Sequence, residues 1–204
     1  MTERITVLDV SRETFESLQK FESLLRKWNP RINLVSPSTL ADLWERHILD
    51  SAQVFALREQ PVRHWVDLGS GGGLPGVVCA VLAKELAPDA RFTLVESDKR
   101  KAAFLAVCKQ ELGLNMTVQP VRAEALTPAN ADTVSARALA PLAQLLPMVA
   151  RHLHPEGVAL LPKGKSYEAE LEAARAEWQF DLAVHPSMTD ASARILALKE
   201  IKRV

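Results

Sequence analysis

Apolar residues along the first 64 positions recur with helical spacing. Phe15, Leu18, Phe21, Leu25 and Trp28 fall near one helical face behind Ser11, whose hydroxyl suits an N-cap. Asn29-Pro30 reads as the end of that helix. Ser36-Pro37 reads as a second start, with proline in the first turn. Leu40, Leu43, Trp44, His47, Ile48, Ser51, Val54 and Phe55 then repeat at the spacing of another helix. The whole stretch to about His64 is therefore expected to be helical.

After His64 short apolar runs alternate with helical segments. Trp65 to Leu68, Arg91 to Val95, Met116 to Pro120, Thr133 to Ala136 and Val158 to Leu161 read as strands. Pro75 to Leu86, Lys99 to Leu112, Pro141 to Leu153 and Ser166 to Glu177 read as helices, and His154-Pro155-Glu156-Gly157 as a turn. Trp178 to Val184 and Arg194 to Ile201 look like a closing, hairpin-like pair. Such alternation argues for a mostly parallel, seven-stranded sheet with helices on both faces, which binds ligands at the carboxyl ends of its strands. The expected organisation is an N-terminal helical extension, residues 1–64, packed on an α/β core, residues 65–204.

Composition narrows the class without choosing a chemistry. A chain of 204 residues with 48% apolar and 25% charged residues is ordinary for one soluble domain. No apolar run approaches the roughly 20 residues that span a bilayer. Met1-Thr2-Glu3-Arg4 lacks the apolar core of a signal peptide, so a cytoplasmic location is expected. Cys79 and Cys108 sit in apolar helical patterns and read as small buried hydrophobes; no metal site is expected. With 25 basic and 25 acidic residues the net charge is zero. Nonspecific nucleic-acid coating finds no support there, and any RNA contact must rest on placed residues.

The chemistry concentrates in Asp67-Leu68-Gly69-Ser70-Gly71-Gly72-Gly73-Leu74-Pro75-Gly76. Glycines after a strand permit positive φ and let a ligand approach the backbone. Free amides at the start of the following helix point back toward it. Asp67, at the strand end, suits a ligand bearing an amino group or sulfonium and sits awkwardly beside a pyrophosphate. Gly71-x-Gly73-x-x-Gly76 also satisfies the dinucleotide pattern, which leaves an NAD-dependent oxidoreductase as a rival. The dinucleotide fingerprint starts directly after the strand, however, where Gly69 would need a third glycine at Leu74; Asp67-x-Gly69-x-Gly71 fits a methyltransferase loop better. Glu96 closes the second strand, where an acid accepts hydrogen bonds from ribose hydroxyls. Ala123-Glu124 follows the third, where an adenine ring would lie.

Several segments now matter together: Leu25-x-Lys27-Trp28-Asn29-x-x-x-Asn33-Leu34-x-Ser36, Arg46-His47-x-x-Asp50-Ser51, the glycine loop, Arg122-Ala123-Glu124, Ser135-x-Arg137-Ala138-x-Ala140-x-Leu142 and Lys163-Gly164. In this order the set resembles the small-subunit ribosomal RNA guanine-N7 methyltransferases, the glucose-inhibited division protein B family, over nearly the whole chain. The resemblance implies a class I methyltransferase with a Rossmann-like fold. It implies S-adenosylmethionine as cofactor, S-adenosylhomocysteine as product, and N7 of one guanine in the decoding-region loop of 16S ribosomal RNA as target. The family's cofactor contacts fall on Gly69, Leu74, Ala123, Glu124 and Arg137; Asp67, Ser70, Gly71, Gly73 and Glu96 complete the expected cofactor site.

Guanine N7 carries a free lone pair, so its methylation needs alignment and electrostatics rather than a strong base. The sequence agrees: the fourth strand ends in Ser135-Ala136-Arg137-Ala138, not in an Asn-Pro-Pro-Tyr type motif, and no Pro-Cys nucleophile occurs. Arg137, Arg46 and Asp50 are the expected catalytic residues, Arg137 as a positioning guanidinium. Asn33, His47, Lys163 and Lys165 are expected on the substrate side. Lys27, Arg31, Lys99, Arg100 and Lys101 are further phosphate candidates. Trp28 and Trp44 could stack on bases, although their spacing favours core packing. The expected partner is 16S ribosomal RNA or the small ribosomal subunit, with no membrane and no obligate protein partner. A small-molecule methyltransferase is the other alternative.

Overall fold

The computed structural model describes residues 2–5, 8–59 and 61–204, with side-chain surroundings from Asp9 onward. Its strands are β1 (Thr2–Ile5), β2 (Leu8–Ser11), β3 (His64–Leu68), β4 (Arg91–Val95), β5 (Met116–Gln119), β6 (Ala131–Ser135), β7 (Leu153–Lys163), β8 (Trp178–Pro186) and β9 (Arg194–Arg203). From β3 onward they form one seven-stranded sheet in the order β5-β4-β3-β6-β7-β9-β8. Neighbours from β5 to β7 are parallel, while β9 runs antiparallel between β7 and β8. The hairpin-like pair thus docks with its second strand innermost.

Helices α1 (Arg12–Ile32), α2 (Asp50–Ala56), α3 (Gly76–Leu86) and α4 (Lys99–Leu112) cover one face; α5 (Leu142–His152) and α6 (Tyr167–Arg175) cover the other. The alternation of β3 serves both layers. Trp65 joins the cluster built by α1 to α4, and Val66 and Leu68 join that of α5 and α6. Trp65 stacks between Phe55 and Phe92 at 6.0 and 5.6 Å. Val10, Leu18, Phe21 and Leu25 share this cluster with Val77 and Phe104, so α1 packs directly on the sheet's helical layer. Helix α3 is buried along Gly76 to Ala83 because it lies between the sheet and the N-terminal helices. Trp28 tilts against Phe104 at 5.8 Å and Trp44 against Phe15 at 5.2 Å, which makes both packing residues.

Four expectations are corrected. The chain is not helical from its start: β1 pairs antiparallel with β2 before Ser11 caps α1 by accepting from Thr14 N. Pro30 does not end α1. The helix runs to Ile32 and stops where Asn33 turns left-handed (φ 48°) and Asn29 Oδ1 accepts the amides of Leu34 and Val35. Ser36-Pro37 opens only a short 3₁₀ turn, Pro37–Thr39; the second helix begins as a π-helical stretch, Trp44–Leu49, and continues as α2. His154 to Gly157 is not a turn but part of β7. There the register against β6 jumps from Ala131↔Leu153 to Thr133↔Val158, a bulge that absorbs the proline and glycine. A Cβ on Gly157 would stand 2.9 Å from the Ala131 carbonyl oxygen, so only glycine permits this close approach.

Candidate active site

The chain leaves β3 through a loop whose Gly69, Gly71 and Gly73 have φ of 65°, 51° and 81°. A Cβ on Gly69 would lie 2.6 Å from Leu139 Cδ1, on the ligand-facing side; one on Gly73 would lie 2.5 Å from Val77 Cγ2, in the core. Glu96 ties the loop to the next helix, its Oε2 accepting Gly71 N at 2.8 Å and its Oε1 accepting Asp98 N at 2.7 Å. Asp98 in turn caps α4.

Asp67 takes a different position from the one expected. It lies beneath the loop, 1% exposed, and does not line the cavity above. Its Oδ1 accepts Ser135 Oγ at 2.6 Å, and Ser135 Oγ accepts Trp65 Nε1 at 2.8 Å. Oδ2 packs against Gly76 and has no hydrogen-bond partner among the described residues. Burial pushes the Asp67 carboxyl up to about 6, opposed chiefly by the Ser135 hydrogen bond. Asp67 and Gly73 therefore shape the loop from below.

Above the loop is a cavity of about 550 Å³ at the carboxyl ends of β3, β4 and β6. It opens where the strand order reverses around β3, the switch point of such sheets. Gly69, Ser70, Gly71 and Leu74 form one wall; Glu96, Ala123, Glu124 and Arg137 line the rest. His152, wholly buried at the end of α5, fixes the Ala123 carbonyl at 2.9 Å from its Nε2.

A second cavity, also of about 550 Å³, shares the strip Arg137-Ala138-Leu139-Ala140 with the first. Ala138 holds φ 54°, which lets the strip turn Leu139 over Gly69. Arg137 donates to Asp50 Oδ2 at 3.2 Å, with both side chains about one-fifth exposed. Burial lowers the guanidinium pKa, and the Asp50 charge opposes that. Arg46 and Asp50 do not pair with each other; Arg46 lies 3.8 Å from Asp190. His47 lines this cavity too. Because Thr39 Oγ1 gives its hydrogen to the Ser36 carbonyl, it accepts from His47 Nε2 at 2.8 Å, leaving Nδ1 as the bare nitrogen. Burial, then the Arg137 charge, takes the His47 pKa down to about 4, so the ring is neutral near pH 7. Lys163, also on the wall, donates to Glu170 at 2.8 Å and to the Ala140 carbonyl at 2.9 Å, pinning the strip to α6.

The model of the family described as rRNA small subunit methyltransferase G matches residues 14–198. The chain belongs to the rRNA small subunit methyltransferase G family. A ribosomal RNA small subunit methyltransferase G of Cereibacter sphaeroides is 53% identical over 197 residues, covering 97% of this chain and 95% of that one. Another, from Rhodospirillum centenum, is 52% identical over 192 residues, covering 94% and 87%. Among solved structures, the ribosomal protein L11 methylase from Lactobacillus delbrueckii subsp. bulgaricus superposes with a TM-score of 0.60 at 18% identity, covering 78% of each chain. The fold is the Rossmann-like α/β fold of class I methyltransferases.

In this chain the dinucleotide pattern is an accident of spacing, since of Gly71, Gly73 and Gly76 only Gly71 lines the cavity. Gly76 is needed because a Cβ there would meet Asp67 Oδ2 at 2.6 Å. Asn33 and Lys165 are exposed and line neither cavity; Asn33 serves instead as the end of α1. Sequence reasoning missed Leu34, Leu139 and Gln144 in the first cavity and Ser187, Thr189 and Asp190 in the second. Only one signal marked the latter group: polar residues in the loop between the closing strands.

Proposed function

We propose that this protein transfers the methyl group of S-adenosylmethionine to N7 of a guanine in small-subunit (16S) ribosomal RNA, in the cytoplasm. One observation carries the reading: two cavities of equal size meet across the Arg137–Ala140 strip at the ligand-binding edge of the sheet. The first suits the cofactor. Its glycine loop brings the Gly69 and Gly71 backbone to the cavity wall without a Cβ of their own, and each Glu96 oxygen, having accepted one amide, keeps a lone pair for a hydroxyl. The second suits a base turned out of its RNA stack.

When bound, S-adenosylmethionine supplies an electrophilic methyl group and leaves as S-adenosylhomocysteine. Guanine N7 has no proton to lose, and the second cavity's ionisable walls match that need. His47, held near pKa 4, is a poor base, and Asp50 is engaged by Arg137. The Asp50–Arg137 pair also keeps the wall close to neutral beside a ring that becomes cationic, while the guanidinium retains donors for positioning. The substrate reaches the protein as free RNA or as a small subunit. No helix among the described residues is long and apolar enough to cross a membrane.

Mass mapping of small-subunit RNA from cells with and without the protein tests this reading. Loss of one N7-methylguanosine in the deleted strain is expected; an unchanged methylation map would overturn it. Transfer by the pure protein to subunits and naked RNA, but not to small metabolites, excludes the small-molecule alternative, and RNA binding should weaken with salt.

A further inference from the structure

The second cavity is lined by three carboxylates that differ in how fully their oxygens are used. Asp50 Oδ1 accepts from Gln53 and Thr189, each at 2.8 Å, and Oδ2 accepts from Arg137. Glu170 Oε2 accepts Lys163 Nζ and Leu142 N, and Oε1 accepts Ser166 Oγ. Asp190 is different. Its Oδ1 accepts the amide and hydroxyl of Ser192 at 2.9 and 2.7 Å, but among the described residues Oδ2 has only Arg46 Nη1 at 3.8 Å, beyond hydrogen-bond reach. Those Ser192 hydrogen bonds hold the carboxyl below its usual range, so it is an anion near pH 7. A charged acceptor thus remains open on the wall.

Its place in the fold gives that acceptor a direction. Asp190 lies in the loop between β8 and β9, which is fastened to α2: Gln53 accepts Met188 N at 2.9 Å and donates to Ser187 Oγ at 3.0 Å. Asp50 stands between this loop and the shared strip, with Thr189 on one oxygen and Arg137 on the other. A guanine presenting N7 to the strip turns its opposite edge, the N1–H and N2 amino donors, away from the strip. Those donors require an acceptor, and a carboxylate receives both.

We propose that Asp190 Oδ2 accepts hydrogen bonds from the N1–H and N2 amino group of the target guanine, making Asp190 the residue that selects guanine over purines lacking a 2-amino group. The assignment rests on the second cavity being the guanine site. The test compares two RNAs, one with the native target guanine and one with inosine there, which keeps N7 and N1–H and lacks only the amino group. With the native protein, kcat/KM for guanine should exceed that for inosine by roughly tenfold or more, the scale of one hydrogen bond to a charged group. In Asp190→Ala and Asp190→Asn that ratio should fall at least several-fold, with cofactor affinity unchanged. Because the ratio is taken on one protein, general damage to the loop cancels. A native ratio near one, or a ratio that persists in both variants, would overturn the assignment. Failure of the native protein to methylate the guanine RNA at all would overturn the proposed function instead.

Discussion

Gly69 and Gly73 both hold left-handed backbones, yet they answer to different neighbours. Gly69 faces Leu139 at the wall of the first cavity, while Gly73 faces Val77 and Leu105 in the core. Their substitutions should separate accordingly. Gly69→Val, a β-branched residue at φ 65°, should weaken S-adenosylmethionine binding about tenfold or more by displacing the loop and Leu139. Gly73→Ala should instead cost about 1–3 kcal/mol of stability, through backbone strain and overpacking. Titration calorimetry and urea unfolding on both variants check the division; equal losses of affinity and stability in the two would defeat it. Arg137 gives a third contrast. Arg137→Lys keeps the charge beside Asp50 but loses the planar fork, so kcat/KM should fall roughly tenfold while the fold persists. Unchanged transfer in that variant would remove Arg137 from the positioning role.

At the scale of elements, the second cavity depends on a staple between α2 and the β8–β9 loop. Gln53, 4% exposed, uses both ends of its amide to hold Ser187 and Met188. Gln53→Leu should leave the Met188 amide unpaired and lower stability by about 1–3 kcal/mol. Loosened in this way, the loop should raise the KM for RNA more than the KM for S-adenosylmethionine; steady-state kinetics and amide exchange over residues 187–190 read both effects. This staple was illegible in the sequence because its partners lie 134 and 135 positions apart and neither carries a motif. Local signals fared better where one element decides its own fate. Asp98 before and Gly113 after fix α4 at Lys99–Leu112, where periodicity placed it. They failed where a tertiary partner overrides local chemistry. The proline and glycine of His154 to Gly157 signal a turn, but the neighbouring strand converts them into a bulge. Pro30 signals a stop, but the stop comes beyond it, from the left-handed Asn33 and the Asn29 side chain that receives the departing amides. Most of the first cavity was legible because its residues follow strand ends; the strip's Leu139 was not, because its role depends on Gly69 across space.

At the scale of the whole molecule, the buried ionisable groups around the two cavities make folding stability depend on pH with opposing signs. Asp67 has a folded pKa of about 6 against an ordinary value of 3.8, so between those values the native protein holds more proton than the unfolded chain. Its contribution therefore falls as pH rises through this window, by about 3 kcal/mol in all. His47 behaves oppositely. Its folded pKa, about 4 against 6.5, means that the unfolded chain takes up the proton first, so its contribution is full above pH 6.5 and is lost as pH drops toward 4. Burial lowers His64 and His152 in the same sense. The native protein should consequently show a flattened stability profile between about pH 4 and 6, because Asp67 cancels part of the histidine slope. Asp67→Asn removes the falling contribution and leaves the rising ones. The stability of that variant relative to the native protein should therefore improve by about 2 kcal/mol from about pH 4 to pH 7, whatever offset the lost carboxylate imposes at any single pH. Urea unfolding of both proteins across this range measures the difference directly. A difference that stays constant with pH would mean that Asp67 titrates as it does in the unfolded chain, and that the floor of the glycine loop is not the dry, carboxyl-raising environment that its burial beneath Ser70, Ser135 and Gly76 implies.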